Sequence, residues 1–214
     1  MDHIATARLV DHEQEPVVEP QREALALAVK VPILYTNVLL RDWRAWKKLG
    51  LAAVSSPGGY HAISILDFPV SLGGYEFSHG PDEPIVVHME RFAAKPDAGP
   101  TPREQYRAGR YELLSTSFET MEREIRSQLA GTLGSGGFDP ARDIAAITVN
   151  RWAHGYAYWH NPLVDPDYED GQYPHEIGRQ RFGRIAIANS DAAGRPTIDA
   201  AIDQAHRAVG ELTG

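Results

Sequence analysis

Arg181 to Leu212 reads RFGRIAIANSDAAGRPTIDAAIDQAHRAVGEL. Arg184-Ile185-Ala186-Ile187-Ala188 has the pattern of a buried strand, and a small polar turn follows from Asn189 to Gly194. Arg195-Pro196-Thr197 then open a helix whose apolar stripe is Ile198, Ala201, Ile202, Ala205, Ala208, Val209 and Leu212. Strand, tight loop and helix start form a geometry that suits an electron-rich or phosphate-bearing ligand. The unsatisfied N–H groups and the positive end of the helix dipole point out of such a loop. Most units of this kind bind nothing, so the remainder of the chain has to decide the matter.

The chain has 214 residues, room for one large domain or two small ones. No apolar run approaches the ~20 residues that a membrane span needs. The N-terminus, MDHIATARLVDHEQEP, has no basic region followed by an apolar core, so no export signal is expected within this chain. A net charge of −8 argues against non-specific nucleic-acid binding and permits an attractive field for cations. The absence of cysteine excludes disulfides, thiol nucleophiles and cysteine metal sites. No glycine-rich dinucleotide fingerprint or phosphate loop occurs. The cluster Gly134-Ser135-Gly136-Gly137 follows a helix pattern and reads as a helix stop.

Residues 1–20 are polar, acidic and contain Pro16 and Pro20, which predicts a flexible arm. A short helix is expected over Gln21–Val29 and a strand over Val31–Leu40, nearly all apolar except Asn37 and so expected to be buried on both faces. Arg41–Leu49 predicts a helical turn or two, ended by Gly50. Strands are expected within Tyr60–Val70, over Ile85–Phe92 and over Ile144–Trp152. Two helices, Pro102–Leu114 and Ser117–Leu133, lie between the last two; the second carries the stripe Phe118, Met121, Ile125, Leu129 and Leu133. His154 to Pro174 is a long loop dense in aromatic residues, of the kind that is usually functional or disordered; its aromatics argue against disorder. The class is α/β, or α+β with a mixed sheet.

Arg151-Trp152-Ala153-His154-Gly155, the long loop, and then Gly183–Asp191 leading into Thr197–Ile202 occur together in that order. This order resembles the C-terminal part of the flavin-containing amine oxidase family. The phrases YTNVLLRDW, LDFPVSLGGY, PDEPIVVHM, FDPARDIAAITVNRW and GRIAIANSDA are most similar to bacterial spermidine dehydrogenase-like FAD/NAD(P)-binding oxidoreductases. The resemblance covers about residues 20–214. It implies a substrate domain over 21–175, a mixed sheet with helices. It implies also a return into the FAD-binding domain over 176–214, contributing that domain's C-terminal strand and helix. The Rossmann-like N-terminal half would lie outside this chain. Export to the periplasm is common among full-length relatives.

The resemblance also implies roles. Asn189, Ser190 and Asp191 fall where the family contacts the ribityl or phosphate region of FAD, and Thr197, Ile198 and Asp199 where backbone N–H groups face the flavin pyrimidine. A helix start stabilises the negative charge of reduced flavin at that edge. Trp152 and Gly155 would fix the chain near the flavin. Tyr156 or Tyr158 would form a wall of the amine cage, since a ring face attracts a cation. Asn37 takes the place of a lysine that assists reaction with oxygen, which implies a dehydrogenase that passes electrons to another acceptor. His154, His160 and His175 share one loop without zinc spacing; because some relatives bind haem, an axial ligand role for one of them is a lesser alternative.

The resulting expectation is part of an FAD-dependent amine or polyamine oxidoreductase that acts on a spermidine-like substrate. Its partners would be the N-terminal FAD-binding half or another copy of the chain. The flavin does the chemistry and the protein orients the amine. The alternatives are a truncated, non-catalytic fragment, or a polyamine-binding module that needs a partner chain.

Overall fold

The computed structural model describes residues 19–214. The predicted arm over residues 1–20 therefore lies almost wholly outside the described residues. Glu19 and Pro20 already belong to the first helix, α1 (Glu19–Ala26). The described residues form two compact units. One holds Val31–Pro100 and Glu104–Gly155; the other holds the chain up to Lys30, Thr101–Arg103 and Tyr156–Gly214.

The first unit is built on a five-stranded sheet. Its strands are β1 (Val31–Leu40), β2 (Ala53–Ser55), β3 (Ile63–Leu66), β4 (Ile85–Phe92) and β5 (Ile144–Tyr156), in the order β2-β3-β4-β1-β5. The pairs β1–β4, β2–β3 and β3–β4 are antiparallel. The predicted bounds of β1 and β4 hold. The expectation that β1 is buried on both faces does not, because alternation divides it. Leu34, Thr36, Val38 and Leu40 are buried, whereas Tyr35 and Asn37 are half-buried and Leu39 is exposed. β4 divides in the same way, with Ile85, Val87 and Met89 in the core and Val86, His88 and Glu90 on the other face.

The core face is covered by helices α3 (Pro102–Ser115) and α4 (Phe118–Leu133). Ser117 starts α4 as an N-cap, its hydroxyl accepting from the N–H of Thr120, which satisfies one of the helix's orphan donors. Met121, Ile125, Leu129 and Leu133 then fall on one stripe and are buried in one cluster with Leu34, Val38, Val87 and Met89. Each such side chain contributes ~2 kcal/mol by leaving water. Phe118, the first residue of the predicted stripe, is exposed instead. A short helix, α2 (Arg44–Leu49), sets Trp46 into the same core and ends at Gly50 in the left-handed region. The turn helix α5 (Pro140–Asp143), capped by Asp139, leads into β5.

A polar group is built into this core. His61 is fully buried, its Nε2 lying 3.0 Å from the hydroxyl of Thr36. The Gln128 amide clamps the His61 backbone, accepting from its N–H and donating to its C=O, both at 2.8 Å. Burial, reinforced by the charge of Arg91, pushes the His61 imidazole down to about 4. The unfolded chain therefore takes up a proton here near pH 6.5, and the folded chain only near 4. The contribution of neutral His61 to stability is complete above pH 6.5 and is lost as the pH falls towards 4, a change of about 3 kcal/mol. Denaturant melts between pH 7 and 4 should show this loss in the native protein and a flatter profile in His61→Gln.

The second unit contains α1, the turn helix α6 (Pro174–Gly178) and the C-terminal helix α7 (Ile198–Thr213). Two expectations change here. The predicted strand over 184–188 does not form: only an isolated bridge joins Phe182 and Ile185, and residues 186–188 are half-buried without a strand partner among the described residues. A strand needs a neighbour to take its N–H and C=O groups, and an apolar pattern supplies none. The apolar stripe of α7 also faces outward. Ile198, Ile202, Val209 and Leu212 are exposed, and the residues buried are Ala200 and Ala208. The opposite face is tied down by charged side chains instead. Arg207 donates to the C=O of Ile187 and pairs with Glu211, whose own C=O accepts from Arg181.

One glycine fixes how α3 meets the sheet unit. A Cβ on Gly109 would lie 2.1 Å from the carbonyl oxygen of Ala93, a backbone atom that cannot step aside. Gly109→Ala should cost about 3 kcal/mol or more in urea melts. Gly131→Ala, in the interior of α4 where an added methyl meets nothing within 4 Å, should instead raise stability by about 1 kcal/mol.

Candidate functional site

The register of β1, β4 and β3 assembles a polar group on the sheet face away from the core. Asn37 sits opposite His88 and Tyr35 opposite Glu90; across the other edge of β4, Ile65 faces His88 and Ile63 faces Glu90. His88 is held at both ring nitrogens, Nδ1 lying 3.0 Å from Asn37 Oδ1 and Nε2 lying 3.2 Å from Glu90 Oε1. The Tyr35 ring packs on it with centroids 4.9 Å apart. Asn37, His88 and Glu90 border a cleft of about 490 Å³ whose other walls are Ile65, Leu66, Asp67, Phe68 and Val86. Of the residues expected to do chemistry, Asn37 is the one placed in this cleft. His88 and Glu90 were not anticipated. Their alternation with buried Val87 and Met89 along IVVHMERF was the available signal, since two polar residues on one face of a half-buried strand imply partners.

Trp152 and Gly155 lie on β5 in the same unit. Trp152 is exposed. Gly155 is there for packing, because a Cβ would come within 2.8 Å of both the Val31 carbonyl oxygen and the Ile33 side chain.

The other expected residues belong to the second unit. Tyr158 is engaged within the protein: the Arg103 guanidinium lies 4.0 Å above its ring, and its hydroxyl donates to Asp165 at 2.8 Å. Arg103 pairs with the same carboxylate at 2.7 Å. Burial alone would raise the Asp165 carboxyl. The N–H of Asn161, the Tyr158 hydroxyl and Arg103 together outweigh it and hold the group below its ordinary range. This triad staples the long loop. Removing the cation from a buried carboxylate should be severe. Arg103→Ala is expected to cost about 3 kcal/mol in a denaturant melt, and Arg103→Ala with Asp165→Asn less than the sum of the two single changes.

Asn189 stands at φ 88°, the one non-glycine residue in the left-handed region among those described, and its side-chain oxygen accepts from the N–H of Asp191 at 2.8 Å. Asp191 is paired with Lys30 at 2.6 Å, both largely shielded from water. Ser190 begins the 3₁₀ turn Ser190–Ala193 that leads to α7. At the start of α7, the Thr197 side chain makes no capping bond to the backbone, and Ile198 is 82% exposed. The flavin role needs open N–H groups in this first turn. Asp199 works against it: the Thr197 hydroxyl and the N–H groups of Asp199 and Ala200 hold its carboxyl below the ordinary range, so a negative charge already occupies that turn.

The haem alternative finds no support. His160 lies 3.1 Å from the Pro166 carbonyl oxygen and packs on Tyr168 and Tyr173, while His175 packs on Tyr173 and beside Gly194. Among the described residues no three histidine or carboxylate side chains converge as a metal site.

No family model and no curated protein matches the sequence. Solved structures do match. Two variants of putrescine oxidase, made to redesign its cofactor binding, align over 92% of this chain, one at 14% identity with a TM-score of 0.58 and the other at 13% with 0.54. The fold is that of part of an amine oxidase. The chain spans 38% of the length of those putrescine oxidase chains.

Proposed function

We propose that this chain is the substrate-binding part of an FAD-dependent amine oxidoreductase that acts on a polyamine such as spermidine. The observation that carries the reading is the coincidence of an amine oxidase fold with a cleft whose polar wall is Asn37, His88 and Glu90. FAD, when bound, supplies the hydride acceptor for the carbon next to a neutral amine. The residues of this chain that would hold it are the Asn189–Asp191 turn and the first turn of α7, Thr197 to Asp199. A helix start favours negative charge, and the Asp199 carboxylate, which takes the N–H groups of Asp199 and Ala200, limits how much is left for the flavin. Glu90 supplies a negative wall for an ammonium. Asn37, in place of a lysine, favours an electron acceptor other than oxygen.

The FAD-binding half is the proposed partner. The exposed stripe Ile198, Ile202, Val209 and Leu212 gives it an apolar helix face to cover. A second reading, a polyamine-binding module without redox chemistry, is favoured by one fact: every residue of the cleft comes from Val31–Pro100, within one unit.

The visible spectrum of the protein purified from the cells that make it decides between them. Flavin bands that co-elute with the chain, bleach when spermidine is added anaerobically and return slowly in air are the expected outcome. A colourless protein that retains no added FAD, with or without its co-purifying partners, would remove the oxidoreductase reading and leave the binding module.

A further inference from the structure

The cleft has a carboxylate at each end and apolar residues between. Glu90 lies on β4, its carboxylate fixed by His88, which is itself held by Asn37. Asp67 follows β3, and its N–H donates to the carbonyl of Val86, which places it beside the other end of β4. Val86 and Glu90 are four residues apart on one strand, so the two carboxylates start from backbone positions about 13 Å apart along the sheet. Ile65, Leu66 and Val86 form the stretch between them, and Phe68, 70% exposed, stands next to Asp67 with a ring face to offer. The Asp67 carboxylate is oriented too, by the Phe68 N–H at 3.0 Å and the Tyr75 hydroxyl at 3.2 Å.

We infer that this cleft selects a linear diammonium ligand, with Glu90 gripping one ammonium, Asp67 the other, and the methylene chain lying over Ile65 and Val86. The inference rests on the proposal that the ligand is an amine, and it adds which residues measure its length. An amine with a single ammonium satisfies one carboxylate and leaves the other to water. A ligand with charges at both ends satisfies both and covers the apolar floor as well. His88 is a positioning residue: it holds Glu90 from the cleft wall, opposite Ile65.

Titration calorimetry on the full chain tests this, with putrescine, spermidine and butylamine as probes. Putrescine or spermidine should bind at least tenfold more tightly than butylamine. Glu90→Gln and Asp67→Asn should each bring the diamine down to about the butylamine level. Glu23→Gln, which removes an exposed charge on α1 in the other unit, should change nothing. Should a cleft variant fold poorly, the ¹⁵N–¹H signals of the His88 ring in the native chain give a second measurement, because they must move as putrescine is added. Equal affinities for diamine and butylamine, equal losses in Glu23→Gln and Glu90→Gln, or an unmoved His88 would each overturn the inference. The flavin experiment fails separately. A colourless chain that discriminates diamines keeps this site and loses the redox role; a flavin-bearing chain indifferent to both substitutions does the reverse.

Discussion

The pairing register of β1 with β4 is the constraint on which the rest depends. With Val38 opposite Val87 and Asn37 opposite His88, one face of the pair is apolar and the other polar. The apolar face meets the stripe of α4 and closes the core. The polar face places His88 between Asn37 and Glu90. Because side chains alternate strictly, slipping either strand by one residue would turn His88 and Glu90 into the core and expose Val87 and Met89. Core and cleft are thus two consequences of one set of backbone hydrogen bonds, and the buried apolar residues hold the site's geometry without touching it.

Charge is handled differently in the two units. In the sheet unit the ionisable groups of the interior are kept neutral or stapled: His61 is shut away beside Thr36 and Gln128, and Asp143 is bound by Arg142 at 2.6 Å. In the other unit, arginines replace a hydrophobic core as the organising element. Arg103 ties Asp165 and covers Tyr158, Arg179 donates to the Ala192 carbonyl, and Arg207 reaches Ile187. Guanidinium groups suit this work, since one fork reaches several carbonyl or carboxylate oxygens at once. The result is a unit whose C-terminal helix is fixed by its polar face and presents its apolar one.

That inversion marks the limit of what was legible in the sequence. Local patterns were sufficient for β1 and β4 and for the Met121–Leu133 stripe, because each is specified by residues within one or two turns or strands. The direction of the α7 stripe was not legible. Periodicity identifies an apolar face but not whether anything in the chain covers it. The same is true of 184–188, whose strand pattern is local while the pairing that would make it a strand is not. The partners of Tyr158 were hidden for a related reason: Arg103 is 55 residues away, and no pattern around either residue points to the other. Likewise Asn37 was singled out alone, while His88, 51 positions on, becomes its neighbour only through the register.

Asn37 and Glu90 are better understood together than apart. Glu90 stands two residues beyond His88 on the strand that faces Asn37, a diagonal cross-strand neighbour about 7–8 Å away. A lysine at position 37, which the resemblance would lead one to expect, would attract that carboxylate by about 2 kcal/mol at an intermediate effective dielectric. It would also compete for the oxygens that His88 now orients. The neutral amide does neither. The Asn37 Oδ1 accepts from the imidazole, fixes it, and leaves the negative charge of Glu90 without a fixed cation from β1. The neutral side chain at position 37 therefore leaves this wall of the cleft suited to holding a cation.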